Sequence, residues 1–491
     1  MDSSYELIIR VGLDRVRTAT QGGGEKIADF KIDELTERIL NIFEDWLRKG
    51  KIDQDEELAV LGNILYQAIF VGEVKEHFEK KLADNEQKRK ASEKSDERLR
   101  VALVFDKEAS KWASLPWEFL YYPKENLPLA TKASLVLLRH TPTEDDREQF
   151  APPVDSLKVL IVVVQPDELI RDSISQDITK YKTDFDSIAK EIQRLKESPK
   201  LAKVNVLEEL RNPTIAAFAS ALNQHKPHVV HYIGYGRYEG EIAFLQNGKE
   251  TAEWVKKSAF ADCFQGIPPR LVFLQLCEGP QKETSGDYLK ANFAELAPEL
   301  ILKHVPAIIA MRYPVDPEVA TKFTQTFYQT LAEGKSVATA VQEGRRWSRF
   351  GEKKMRNIGS PVLFMHSQDG LLLPLIEITD TGGAQSSTSS SLGPASTVTP
   401  PASQALSEAA PPEFSFDDLA EVGFESAAGV SLKASEVSRE IEKLRKTYNQ
   451  DVEAARRMVN EKAQSLSSLD PTGKLTTVYL AMAKHLKSHT R

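Results

Sequence analysis

Residues 271–277 read Leu-Val-Phe-Leu-Gln-Leu-Cys, an apolar run that ends at Cys277. A second strand pattern, residues 228–233, ends in a turn at residues 234–236, in which Tyr235 stands between two glycines. Short apolar runs bounded by turn residues are typical of strands buried on both faces of a parallel sheet. Reacting groups gather at the carboxyl ends of such strands. The two runs therefore predict an α/β sheet with Cys277 and Tyr235 at one edge.

Strand and helix patterns alternate on both sides of these runs. Further strands are predicted at residues 157–164, 204–207 and 307–311, and the intervening segments carry apolar residues at three- and four-residue steps. Such alternation predicts a mostly parallel sheet flanked by helices. We assign this α/β core to residues 151–379.

The N-terminal residues 1–150 have a different pattern. A short strand at residues 5–11 precedes two amphipathic helices, at residues 33–47 and 58–69, and an alternating strand at residues 99–105. This order predicts an α+β region in front of the core.

The C-terminal part of the chain divides into two predicted segments. Residues 380–413 consist mainly of Ser, Thr, Ala, Gly, Gln and Pro, so they are predicted to form a disordered linker. Residues 414–491 are predicted to be helical, because apolar residues recur at helical spacing in residues 437–459 and 475–486. These two helices either form a self-contained hairpin or dock on the α/β domain, on another copy or on a partner protein.

Composition narrows the class of protein. The chain has 491 residues, of which 41% are hydrophobic and 28% charged, as in ordinary globular proteins. A net charge of −8 argues against nucleic acid as the main partner. Two cysteines supply neither a disulfide framework nor a zinc site, and we predict no cofactor or metal. Since neither a signal peptide nor a membrane-length apolar stretch is evident, we predict a cytoplasmic protein without membrane attachment.

Several short motifs, in order, resemble the CHAT domain, a caspase-like module related to separase and caspases. Residues 115–120, Leu-Pro-Trp-Glu-Phe-Leu, resemble its LPWE-hydrophobic signature. Residues 231–236, His-Tyr-Ile-Gly-Tyr-Gly, resemble its H-hydrophobic-hydrophobic-GHG strand end, and residues 274–278 its nucleophile turn. Later segments are similar to the family's closing elements: residues 312–316, 327–328, 331–337 and 360–364. The resemblance spans about residues 5–375 and implies a caspase-like fold.

The resemblance implies a nucleophile at Cys277 and a general base at position 235, which here is Tyr235. Imidazole, with a pKa near 6.5, can take the thiol proton and stabilise the thiolate as a cation. A phenol, with a pKa near 10, can become only an anion. Loss of a general base removes about 10²–10⁴-fold in rate, so the dyad is predicted to be degenerate. The alternative interpretation of Cys277 is a buried structural cysteine.

Other residues near these motifs are cleft or specificity candidates. His231 lies about 13 Å along the strand from position 235, and its alternative interpretation is a core histidine. Gly234 and Gly236 also resemble a phosphate loop, but a strand pattern, residues 241–245, follows where such a loop needs a helix. Active members of the wider clan often select basic residues through acids near the nucleophile, and the candidates are Glu278, Asp287 and Asp316.

Three functions remain open from the sequence. The first is a regulatory or scaffolding pseudo-peptidase that binds a protein partner, in the prokaryotic signalling or defence systems where the family is common. The second is an active cysteine endopeptidase, which cuts a peptide substrate with Cys277 and an unconventional or partner-supplied base. The third is a non-enzymatic ligand sensor that uses the same cleft.

Overall fold

The computed structural model describes residues 6–20, 24–48, 52, 55–91, 98–141, 153–169, 185–194, 203–237, 240–278, 296–313, 315, 317–348, 354–366 and 370–373. The predicted linker, residues 380–413, and the predicted helical segment, residues 414–491, lie outside these ranges. The strands of the described part are β1 Glu6–Val11, β2 Arg15–Ala19, β3 Lys26–Asp29, β4 Leu99–Phe105, β5 Tyr121–Tyr122, β6 Leu127–Pro128, β7 Leu135–His140, β8 Leu157–Val163, β9 Val204–Val206, β10 Leu210–Arg211, β11 Val229–Arg237, β12 Glu241–Leu245, β13 Ala252–Val255, β14 Leu271–Glu278, β15 Ala307–Met311 and β16 Pro361–Met365.

Helices connect and cover these strands. Their bounds are α1 Glu34–Arg48, α2 Asp55–Ile69, α3 Gly72–Ala91, α4 Ser110–Ala113, α5 Phe185–Arg194, α6 Ile215–His225, α7 Lys257–Asp262, α8 Leu296–Leu302, α9 Pro317–Ala332, α10 Val337–Trp347 and α11 Lys354–Gly359. No single helix in the described ranges is long and apolar enough to cross a membrane; the pair Glu57–Ile69 and Gly72–Ala91, bent by 111°, meets the length and composition criteria only together.

A 14-stranded sheet runs through the described residues in the order β10-β8-β11-β14-β15-β16-β7-β4-β1-β2-β3, with β9 beside β8 and the hairpin β12–β13 attached to β11. The strands β8, β11, β14 and β15 pair in parallel and form one half-sheet. The strands β16, β7, β4 and β1 form a second parallel half-sheet. The two halves meet where β15 and β16 pair antiparallel. The predicted α/β fold with a mostly parallel sheet flanked by helices is confirmed.

The antiparallel pairing of β15 with β16 determines at which edge of the sheet each strand has its carboxyl end. Because the half-sheets run in opposite directions, the carboxyl ends of β8, β11, β14 and β15 share one edge of the sheet, and those of β16, β7, β4 and β1 share the other. Strands from residues 1–150 and 151–379 belong to the same sheet, and the boundary proposed between these regions stays a prediction.

Helices cover both faces of the half-sheet that contains β11 and β14. On one face, Phe327 of α9 packs edge-on against Phe273 of β14. On the other, Tyr232 of β11 packs against Phe260 of α7. With both faces covered, the strands are apolar throughout, as in β8, where Val159 to Val163 are all at most 1% exposed.

Local signals set the helix boundaries near this half-sheet. The Thr214 side chain caps α6 by accepting a hydrogen bond of 3.1 Å from the Ala217 amide, as side-chain oxygens at N-cap positions do. Helix α9 ends just before Gly334, whose φ of +76° favours glycine.

Candidate functional site

Strands β11 and β14 bring the two predicted dyad positions together. They pair in parallel with Tyr235 opposite Cys277 and Gly236 opposite Glu278. Residues paired across neighbouring strands lie about 5 Å apart along the hydrogen-bonding direction. Positions 235 and 277 are therefore adjacent at the carboxyl edge of the half-sheet, where parallel sheets place their functional groups.

Tyr235 is packed as a core residue. Its side chain is only 6% exposed, and its ring meets Phe185, at the start of α5, edge-on with 5.2 Å between ring centroids. Such aromatic pairs stabilise the position of both rings beyond their buried area. The Tyr235 ring, at the predicted base position, thus packs against the helix that covers this face.

His231 belongs to the interior of the sheet. It is fully buried, and its ring stacks on Phe273 with a centroid separation of 4.1 Å. Its Nδ1 is 3.1 Å from the Tyr328 hydroxyl and its Nε2 is 3.1 Å from Gln275 Oε1. Burial lowers the pKa of His231 to about 3, and the Gln275 hydrogen bond offsets only part of that effect. The ring is therefore neutral at physiological pH, with both nitrogens engaged away from position 235.

Gln275 completes a buried polar chain that the sequence analysis missed. Because the His231 ring is neutral, it donates from Nε2 to Gln275 Oε1 and accepts at Nδ1 from the Tyr328 hydroxyl. The Gln275 side chain is 3% exposed, and its Nε2 has no hydrogen-bond partner among the described residues. The available signal was a polar residue within an otherwise apolar run, two positions before Cys277.

The two glycines beside Tyr235 lie within strand β11. A Cβ on Gly234 would lie 2.7 to 2.9 Å from the ring and hydroxyl of Tyr232, whose hydroxyl donates to the Ala243 carbonyl. The predicted turn at residues 234–236 is wrong, because these residues belong to β11, which continues to Arg237, and all three pair with β14. Gly236 also pairs with Ile242 of the next strand, β12, whose strand character the sequence predicts. A nucleotide-binding loop needs a helix here, whereas the structure has strand β12, and Gly234 leaves room for the Tyr232 ring.

Of the three acidic residues predicted as specificity candidates, the structure describes the position of one. Glu278 is the last residue of β14 and pairs with Gly236. Asp287 and Asp316 lie outside the described residues, so their predicted role stays a prediction. Among the residues that the structure describes, no group of three or more His, Cys, Asp or Glu side chains could hold a metal ion.

The signature at residues 115–120 forms a structural anchor, which sequence reasoning did not identify. Glu118 and Arg139 form a buried bidentate ion pair, with contacts of 2.8 and 2.5 Å. Burial would raise the pKa of Glu118, but the charge and hydrogen bonds of Arg139 hold it below its usual value. Arg139 also donates to the Leu115 carbonyl at 3.0 Å, as does Arg312 from the end of β15. The signature thus ties β7 to β15 across the centre of the sheet.

Comparisons with known proteins give the following similarities. No curated protein matches the sequence. The separase in the separase–securin complex of Saccharomyces cerevisiae is 12% identical, with a TM-score of 0.43, over 74% of this chain and 30% of that chain. This chain thus spans less than a third of the separase length. The Arg-specific cysteine proteinase gingipain R is 11% identical, with a TM-score of 0.33, over 76% of this chain and 79% of that chain.

One further structure and a family model complete the comparison. The complex of Porphyromonas gingivalis RgpB pro- and mature domains is 12% identical, with a TM-score of 0.33, over 70% of this chain and 79% of that chain. The model of the CHAT domain matches residues 60–380, well over half of the sequence. The matched range contains the signature at residues 115–120 and the paired positions 235 and 277, and the chain belongs to the CHAT domain family.

Proposed function

We propose that this protein is a degenerate caspase-like peptidase that acts as a regulatory or scaffolding partner of another protein, in prokaryotic signalling or defence. The observation that carries the proposal is the pairing of Tyr235 with Cys277 at the carboxyl edge, with the tyrosine ring packed against Phe185. In this proposal the edge is the one on which the family assembles its dyad, and a buried phenol takes the place of the base.

A phenol at position 235 favours a protein-binding role for this site over peptide cleavage. A general base works best when its pKa lies near the working pH, and an ordinary phenol has a pKa near 10. A phenolate beside a thiolate would also repel it, which raises the thiol pKa. Cys277 is therefore expected to remain a protonated thiol at neutral pH.

Neighbouring histidines do not replace the missing base. The ring nitrogens of His231 are held by Tyr328 and Gln275. His228 precedes β11, at the opposite end of the strand from position 235, and its Nδ1 accepts a 3.0 Å hydrogen bond from the Lys158 amide. Both side chains serve the sheet rather than its carboxyl edge.

The test is the alkylation rate of Cys277 in the full-length protein, followed by mass spectrometry across pH 6 to 9. We expect Cys277 to react no faster than a free thiol of pKa about 8.5. Cys263 provides an internal reference, because burial and the nearby Asp262 raise its pKa to about 11. Tyr235→His is expected to raise the rate at pH 7 about tenfold, because an imidazolium lowers the thiol pKa.

A matched variant separates the hydroxyl from the ring. Tyr235→Phe keeps the aromatic packing and is expected to leave the Cys277 rate unchanged. If the wild-type Cys277 reacts faster than the free thiol at pH 7, and Tyr235→His changes nothing, another group activates the thiol. That result would favour the alternative, an active cysteine endopeptidase with an unconventional or partner-supplied base.

A further inference from the structure

Helix α9 packs on the sheet face that carries the buried polar chain. Tyr328, on α9, donates to His231 of β11, and His231 donates to Gln275 of β14. The chain therefore starts on the helix and ends inside the sheet. Its last group, Gln275 Nε2, is a buried donor with no hydrogen-bond partner in the described part of the protein. Helix α9 carries a second group of this kind, the hydroxyl of Thr324.

Bulk solvent cannot satisfy either group. Thr324 is fully buried and Gln275 is only 3% exposed, and the two polar atoms themselves are inaccessible to solvent. A buried polar group that has given up its hydration without a new hydrogen bond is costly, and native proteins contain few of them. Two such groups on elements that pack together point to a partner that both of them share.

The two groups lie in the same layer between the helix and the sheet. Helix α9 begins just after β15, so its first turn lies near the carboxyl edge of the half-sheet, and it runs back over the strands. Thr324 precedes Tyr328 by one helical turn, about 6 Å towards that edge. Gln275 lies about 6.6 Å beyond Phe273, which pairs with His231. From the contact between Tyr328 and His231, helix and strand thus reach Thr324 and Gln275 after nearly the same distance.

The surroundings select an uncharged molecule that can both donate and accept hydrogen bonds. The His231 ring is neutral, and the rings of Phe273, Phe323 and Phe327 pack together on this face. A buried ion needs a counter-charge, which none of these side chains supplies. An amide N–H needs an acceptor, whereas a hydroxyl donates or accepts. A water molecule satisfies both groups at a separation too long for a direct hydrogen bond.

We propose that Gln275 and Thr324 bind one internal water molecule. The water accepts a hydrogen bond from Gln275 Nε2 and forms a second one with the Thr324 hydroxyl, so the polar chain returns to α9 one turn from where it starts. The closed ring of hydrogen bonds fastens α9 to β11 and β14, two residues before the paired positions 235 and 277. The water site does not depend on the chemistry at those positions.

The first test compares the unfolding of the full-length wild type with that of Thr324→Val, which removes the hydroxyl and keeps the shape of the side chain. Urea unfolding is followed by tryptophan fluorescence, since all five tryptophans lie between residues 46 and 347. A hydroxyl bonded to water predicts that Thr324→Val lowers the folding equilibrium constant at least about fivefold. An unpaired hydroxyl predicts an unchanged or higher constant, because valine removes a desolvation cost. That second result would overturn the proposal.

A double-mutant cycle tests whether the two groups share the water. Gln275→Met removes the amide and keeps the length of the side chain. If one water bonds both groups, the double variant has a folding constant at least about threefold higher than the two single losses predict together. Additive losses contradict a shared water. If Gln275→Met does not fold, the result for Thr324→Val decides alone.

Thr330 supplies a matched control on the same helix. Its hydroxyl donates to the Thr326 carbonyl at 2.8 Å, and such a bond within one helical turn adds little to stability. Thr330→Val should therefore leave the folding constant within about twofold, and equal losses for Thr330→Val and Thr324→Val would contradict the proposal. A crystal structure that resolves ordered waters tests the site directly. One water within hydrogen-bond distance of both atoms supports it, and a direct bond between Gln275 and Thr324, or no water there, overturns it.

Discussion

His231 is a histidine whose charge state is fixed by burial, and this has a measurable effect on stability. Its pKa is about 3 in the folded protein and near 6.5 in an unfolded chain. Below pH 6.5 the unfolded chain therefore binds a proton that the folded protein excludes. The contribution to stability is complete above pH 6.5 and is lost as the pH falls from about 6.5 towards about 3.

We predict that this single residue reduces the free energy of unfolding by about 2 kcal/mol between pH 7 and pH 5. The measurement is urea unfolding at pH 7, 6 and 5 for the wild type and for His231→Gln. The variant is expected to be less stable at pH 7 but to lose less stability as the pH falls. Equal pH slopes for the two proteins would contradict the burial argument.

Among the elements, the segment at residues 115–120 is expected to contribute more to stability than its length implies. Glu118 and Arg139 are 1% and 3% exposed, so replacing Glu118 leaves a buried guanidinium without its counter-charge. We predict that Glu118→Gln lowers the free energy of unfolding by about 3 kcal/mol or more. Urea denaturation of the wild type and the variant at pH 7 measures this difference in the free energy of unfolding.

An exposed ion pair supplies the control for that prediction. Glu73 pairs with Lys26 at 3.4 Å, and the two side chains are 62% and 48% exposed. Glu73→Gln is expected to change stability by no more than about 0.5 kcal/mol. If Glu73→Gln and Glu118→Gln lower the free energy of unfolding by similar amounts, burial does not determine how much stability an ion pair contributes.

The elements also show which features the sequence can predict. Strands such as β8 and β14 are predictable because a strand covered on both faces needs apolar residues throughout, and this requirement is visible locally. Once these strands are recognised as parallel neighbours, the adjacency of positions 235 and 277 at their carboxyl ends is also predictable. The Glu118–Arg139 pair and the Gln275–His231–Tyr328 chain are not predictable in this way, because each depends on which strands and helices meet. Nor does any local pattern place β16 between β15 and β7.

At the scale of the whole molecule, the predicted C-terminal helices are expected to dock on the α/β domain, on another copy or on a partner protein. Two helices alone bury little surface, and small units rarely fold without help. We predict that an isolated fragment of residues 414–491 is incompletely helical and melts without a cooperative transition. Circular dichroism and size-exclusion chromatography of the isolated fragment measure this. A monomeric fragment that is fully helical and melts cooperatively would contradict the prediction.

The central place of β16 has a consequence for biosynthesis. In the finished sheet, β16 pairs with β7 on one side and β15 on the other, yet it is translated about 225 residues after β7. At ribosomal rates of 5–20 residues per second, the hydrophobic edge of β7 stays unpaired for roughly 10 to 45 s. An unpaired apolar edge is a template for aggregation. The yield of folded protein in a cell therefore depends on what shields the nascent chain during that interval.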